Sequence, residues 1–444
     1  MSKRRPKFIR PKRSSKRILL VEPDFPIPTK SKNHKNFLPI GLLKLGAWLM
    51  DMGYEVKLIQ GNVDPEILNF EPHEIWITSL FTYWSKYVIE TSKHYKAFPN
   101  KPRIVIGGIY ASLMSDHCRK STGADAVFKG VHSQAEKYYP AYDLLENGVD
   151  YQIVHATRGC VHKCRFCGVH IIEPNGLHSE ESVIPLITKP INGRGKASLN
   201  EFDSNELYIE KRNLVFYDNN FLAHSQIELT LEELISLRKQ RKIGWCESQS
   251  GFDGRIMKSK PHLARMLKEA GFRAPRIAWD WGVKQGKSIK EQIDLLVEAG
   301  YASKDIYVFM IYNWGITFEE MEQKRIKCFD WQVQIADCRY RPLNQTFDEY
   351  KPRKRNQTDG YHIHARKGWT DDLVKQFRRN VRRQNICIRH GYPLYCKEFE
   401  RKKAKNHEVQ RVKRAKTLNE KVMVLEDLGY YYWDPREVTY PKDP

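Results

Sequence analysis

Cys160, Cys164 and Cys167 stand within eight consecutive residues, Cys160-Val161-His162-Lys163-Cys164-Arg165-Phe166-Cys167. Thiols at that density are a metal-binding signal, because so short a loop cannot carry its sulfurs far apart. A 4Fe-4S cube takes four ligands and this loop offers three, which leaves one iron open. Structural zinc is the rival use, with His162 or His170 as the fourth ligand. Zinc more often draws on two separated pairs, and no second pair stands at such spacing. A disulfide would leave one of the three cysteines unpaired, and the N-terminal stretch lacks the apolar run of a secretory signal.

The elements that must position this loop can be read from alternation. From Arg17, short apolar strands alternate with helical stretches: RILLV, PIGLLKLGAWLMDMG, YEVKLI, EIWITSL, YWSKYVIETSKHYK, RIVIGG and AVFKG. That rhythm predicts a parallel sheet with helices on both faces. Pro140 to Asp150 reads as a connection, after which YQIVHA delivers the cysteines. Later strands are expected at 213–217, 243–247, 276–280, 305–312 and 331–338, separated by amphipathic helices, two of which stop at Gly. The expected fold class is α/β: a doubly wound, flavodoxin-like sheet over 17–140, a partial (β/α)6 TIM-type barrel over 141–340, and a basic, mainly helical region over 341–444. Residues 1–16 read as a basic flexible arm.

A C-x3-C-x2-C loop after a strand, with the aromatic Phe166 before the last cysteine, resembles the radical SAM superfamily. The resemblance implies that Cys160, Cys164 and Cys167 hold a 4Fe-4S cluster whose open iron is chelated by the amine and carboxylate of S-adenosylmethionine. An electron then cleaves that cofactor to methionine and a 5'-deoxyadenosyl radical, with a reducing donor such as flavodoxin or ferredoxin as partner. By the same resemblance, Phe166 meets the adenine, and Asp218-Asn219-Asn220, in place of the family's Gly-Gly-Glu, offer acceptors for the methionine ammonium. Ser248, Gln249 and Asp280 stand where ribose hydroxyls or the carboxylate bind, and Arg255 can pair that carboxylate. Turns, caps, packing and solvated faces are the structural alternatives at these positions. Trp279, Trp281, Tyr312 and Trp314 are candidates for lining a substrate cavity or for core.

The first five strands resemble the cobalamin-binding-like domain found ahead of many radical SAM barrels. Its Asp-x-His-x-x-Gly marker is missing, which leaves His34 as a candidate cobalt ligand, with Ser79-Leu80 and Gly107-Gly108 at the sheet's carboxyl edge, where ligands of open sheets bind. Gly193-Arg194-Gly195-Lys196 echoes a phosphate loop but lacks its first glycine and the Ser or Thr after lysine. Cys387 with Cys396, or Cys328 with Cys338, are weaker candidates for a second cluster.

The 444 residues carry a formal charge of +22 with no apolar run near the ~20 residues that span a bilayer. No membrane association is expected, and free cysteines suit the cytoplasm. Residues 1–17 hold nine Lys or Arg and no acid, and residues 351–444 hold twenty-four against twelve acids. Such ends attract polyanions, so nucleic acid is a candidate partner through the basic termini, notably along Arg378, Arg379, Arg382 and Arg383. Three functions follow: a radical SAM enzyme acting on an unknown substrate by methylation or rearrangement, an RNA- or ribosome-associated modification enzyme of that kind, or a noncatalytic iron-sulfur module.

Overall fold

A computed structural model describes residues 16–27, 37–190, 208–351, 353–357 and 360–441. The chain divides into two compact units. One takes Met1–Asp150, Ile171–Pro174 and Ile184–Glu210; the other takes Tyr151–His170, Asn175–Val183 and Lys211–Pro444. His34 and Gly193 to Lys196 lie outside the described residues, as does the basic arm up to residue 15.

The first unit is built on five parallel strands, β1 (Arg17–Glu22), β2 (Glu55–Gln60), β3 (Glu74–Ser79), β4 (Arg103–Gly108) and β5 (Ala126–Val127), in the order β2-β1-β3-β4-β5. β1 lies inside the sheet, between β2 and β3, and both of its faces are apolar. Leu19 and Val21 pack with Ile75, Ile77, Ile104 and Ile106 on one side, and Ile18 and Leu20 pack with Leu42 and Leu49 on the other. Burying each such side chain is worth roughly 1.5–3 kcal/mol. β2, EVKLIQ, has mostly exposed or half-buried residues, as an edge strand tolerates. The unit continues past the expected limit at 140: Ala141 N–H donates to the Leu43 carbonyl, and Tyr142 packs with Leu43 and Tyr139. Contacts of this kind move the division to Asp150.

Ser79 and Gly108 close the carboxyl edge between β3 and β4. Ser79 Oγ donates to the Gly107 carbonyl at 2.7 Å and accepts from Ala111 N–H at 3.1 Å. Gly108 has φ +97°, and a Cβ there would run into the Ser79 backbone. Both residues thus serve the strand-to-helix turn.

The second unit holds six parallel strands in two sheets. One contains β6 (Tyr151–Val154), β9 (Asn213–Phe216) and β10 (Cys246–Ser248), in the order β10-β9-β6; the other runs β11 (Arg276–Ala278), β12 (Tyr307–Tyr312), β13 (Gln334–Arg339). The short β7 (Thr157–Arg158) and β8 (His178–Ser179) pair antiparallel beside them. Single parallel bridges, Cys246 to Phe272 and Phe252 to Ile277, carry the strand order from β10 to β11. Among the described residues the sheets do not close into a barrel. The expected strands all occur, with ends displaced by up to three residues; β10 and β13 start three residues late and run one residue past the expected end.

The region after residue 340 belongs to this same unit. Its helix Asp371–His390 lies against β13, where the Asn385 amide accepts from Ile335 N–H at 2.9 Å and donates to its carbonyl at 2.7 Å, satisfying an edge as a neighbouring strand would. Arg378 faces Asp337 at 3.5 Å, Arg379 donates to Gln376, Arg382 pairs with Glu400, and Arg383 lies over Trp433. Each arginine of this row, expected as a phosphate-facing stripe, has a partner within the chain, while Arg378, Arg379 and Arg382 remain exposed. Cys387 and Cys396 sit in separate apolar clusters, the first with Phe329 and the second with Leu394.

Candidate functional site

The cysteine loop leaves β6 through a brace. Asp218, just after β9, is 0 % exposed, and its Oδ1 accepts from Thr157 N–H at 2.5 Å and from Thr157 Oγ1 at 2.8 Å. Burial pushes this carboxyl up to about 7 against those hydrogen bonds, and its Oδ2 is buried without a partner. Gly159 then turns the chain with φ +74°, where a Cβ would strike the Gly176 carbonyl oxygen. No other residue fits that approach.

Cys160, Cys164 and Cys167 are free thiols, each half-buried. Cys167 N–H donates to the Cys164 carbonyl at 3.0 Å, His162 N–H points at Cys160 Sγ at 3.4 Å, and the Val169 backbone bonds the Cys167 sulfur. Burial pushes the Cys164 and Cys167 thiols up. Repulsion from Cys160 and Asp280 adds to this at both, and Arg255 opposes it at Cys164.

Beside the loop, Asp253 ties three elements together. It caps the helix Gly254–Ser259 by accepting from Arg255 N–H, takes Arg255 Nε at 2.9 Å and Nη2 at 3.0 Å, meets His162 Nε2 at 2.7 Å, and accepts from Asn220 Nδ2 at 3.3 Å. Burial alone would raise the Asp253 carboxyl, but hydrogen bonds from Arg255 and His162 outweigh it and bring it to about 2. Arg255 Nη2 also meets His162 Nε2 at 2.7 Å. His162, weighed above as a zinc ligand, thus has its Nε2 engaged by this pair.

Asp280 follows β11. Burial lifts its carboxyl to about 6, against the nearby charges of Lys324 and Arg255. Lys324 is fully buried, donates to the Trp279 carbonyl at 2.6 Å, and is brought down to about 8 by burial. Cys338, at the end of β13, also feels the Asp280 charge.

The fold therefore gathers Cys160, Cys164, Cys167, Arg255 and Asp280 within electrostatic reach, and joins Asn220 to them through Asp253. Phe166 stands edge-on to Trp314 at 5.9 Å and near Trp281 at 6.4 Å; Trp281 is 49 % exposed. Trp279 and Tyr312 are core instead, the first stacked on Trp331. Ser248 is buried with its hydroxyl on the Gly251 carbonyl at 3.0 Å, so, like Asp218, it serves a turn rather than a cavity. Gln249 is half-buried, its N–H on the Phe216 carbonyl. Asn219 is half-buried between two buried neighbours. Sequence reading passed over Asp253 and Lys324. The first had a local signal, an acid opening Asp-Gly-Arg-Ile-Met as a helix cap. The second had none, since a helical lysine gives no sign of facing inward.

Among the described residues, no group of three or more His, Cys, Asp or Glu could hold a metal ion as arranged. A cluster asks for something different, since its cysteines ligate separate irons. The donor set fits that demand in charge: Cys164 and Cys167, held protonated first by burial and then by neighbouring negative charge, gain from a cationic core, and backbone N–H groups already reach two of the sulfurs. Comparison with protein-family models gave no match for this chain. Comparison with curated proteins gave none either.

Proposed function

We propose that the second unit is a radical SAM domain of the open (β/α)6 type, that the first is a flavodoxin-like, cobalamin-binding-like domain, and that the chain is an enzyme acting on its substrate through a radical. Cys160, Cys164 and Cys167 would hold the 4Fe-4S cluster. When bound, that cluster supplies the electron that splits S-adenosylmethionine into methionine and a 5'-deoxyadenosyl radical. The observation that carries this reading is the C-x3-C-x2-C loop leaving the first of six parallel strands with Arg255 and Asp280 in electrostatic contact with its thiols.

The chain's own residues supply binding, orientation and exclusion of water. Arg255 is fixed by Asp253 while its Nη1 carries no hydrogen bond among the described residues, so it offers a cation to a carboxylate. Asp280 and Asn219 offer acceptors to an ammonium or to hydroxyls. Phe166, Trp281 and Trp314 give an apolar wall beside the loop.

The test is anaerobic reconstitution with iron and sulfide, reduction, and mass-spectrometric assay for methionine and 5'-deoxyadenosine. Wild type should release both, and Cys164→Ala should fall to background. Colourless protein carrying zinc at the loop, without cleavage, would end this reading. A net charge of +22 favours a polyanionic substrate such as RNA, and binding to a structured RNA that weakens steeply with salt is the outcome expected of that second reading.

A further inference from the structure

The carboxyl ends of β1 and β2 in the first unit border a cavity of about 590 Å³, within the range of small-molecule sites. Its walls combine polar and apolar surface, with Phe25, Leu38, Leu58 and Val149 on the apolar side, and Glu22 lines it from the last position of β1. Glu22 is 8 % exposed, yet among the described residues no group donates a hydrogen bond to its carboxylate or pairs with it. Burial alone, with nothing opposing it, pushes this carboxyl up to about 7. A second cavity of about 680 Å³ shares Asp24, Gln60 and Glu146 with the first and adds Glu90. Among the described residues, the two cavities are lined by four carboxylates and by no Lys, Arg or His, in a chain with 75 basic residues to 53 acidic ones.

A buried carboxylate without a partner is unfavourable unless something brings it a charge or a hydrogen bond. The apolar walls call for a ligand with a hydrophobic body, and the acidic floor calls for a positive end. We propose that this cavity binds an organic cation with an apolar body, an aryl- or alkylammonium, with its charged nitrogen against Glu22 and its body between Phe25 and Leu58. The position matches the edge at which open parallel sheets take ligands. The site lies wholly within the first unit, and its occupation does not depend on the chemistry proposed for the second.

Calorimetric titration of the full chain with tryptamine, 3-methylindole and indole-3-propionate tests this. Tryptamine should bind at a single site, the neutral analogue more weakly, and the anion not at all. Glu22→Gln, nearly isosteric, should weaken tryptamine by about tenfold or more while leaving 3-methylindole unchanged. Asp24→Asn alters an exposed residue and so guards against a folding artefact; its loss should be smaller, up to about fivefold. Equal binding of tryptamine and 3-methylindole would reduce the cavity to an apolar depression. Tryptamine binding that is absent, or unaffected by Glu22→Gln, would overturn the assignment.

Discussion

Glu22 in the first unit and Glu322 in the second are both withdrawn from water, at 8 % and 0 % exposure, but they meet opposite surroundings. Glu322 takes Arg325 Nε at 3.0 and 2.9 Å and Nη2 at 2.7 Å, and Asn380 Nδ2 at 3.1 Å. Arg325 in turn donates to Gln384, to the Pro435 carbonyl and to the Glu437 carbonyl. Residues from the helix Phe318–Asp330, the helix Asp371–His390 and the last described segment thus meet on one guanidinium. Glu22 lines a cavity, with no charge or hydrogen bond brought to its carboxylate among the described residues. Where a buried charge is fully met it acts as a fastening of the fold; where it is not, it marks a place built for something from outside. Burial still raises the Glu322 carboxyl against Arg325 and Asn380, whereas Asp253 is brought down to about 2 by Arg255 and His162, and Asp280 is lifted to about 6.

The contrast breaks most visibly at Arg325. Arg325→Met leaves Glu322 buried and unpaired, which should cost the second unit about 3–5 kcal/mol in urea denaturation. Adding Glu322→Leu should return most of that loss, because removing both partners leaves no uncompensated charge.

Glu22 should behave in the opposite sense. Its folded-state carboxyl holds its proton up to about 7, whereas the unfolded chain releases it near 4.5. Its share of stability is therefore complete below pH 4.5, drains as pH rises to about 7, and is gone above that, a loss of roughly 3 kcal/mol. Glu22→Gln should flatten that part of the curve and make the protein about 2–3 kcal/mol more stable than wild type at alkaline pH, read by thermal denaturation across the range. A destabilised variant with an unchanged pH profile would mean that Glu22 has a partner after all.

The smallest effect is expected where neither burial nor pairing acts. Arg265 and Glu269 face each other at 3.3 Å with side chains 81 % and 49 % exposed. Arg265→Ala should shift denaturant stability by less than about 0.5 kcal/mol, and even less at high salt.

Much of this arrangement was legible beforehand. RILLV, EIWITSL and RIVIGG became β1, β3 and β4 because every second residue had an apolar neighbour to meet, and the strands expected near 213, 276 and 305 formed for the same reason. The region after 340 was less legible. Arg378 to Arg383 carry the pattern of a solvated or phosphate-facing stripe; Arg378, Arg379 and Arg382 are indeed exposed, and what the pattern could not show is that Asp337, Glu400 and Trp433, from distant positions, would stand beside Arg378, Arg382 and Arg383.

By itself, the sequence determined the alternation that makes parallel strands and the cysteine spacing that keeps three sulfurs together, since both depend on neighbours a few residues apart. The tertiary structure alone decided which carboxylates would be paired. Asp218 was drawn under Thr157, Asp253 onto Arg255 and His162, and Glu22 toward a cavity. The energy of a charge depends on what surrounds it in space, and those surroundings come from parts of the chain that no local pattern connects.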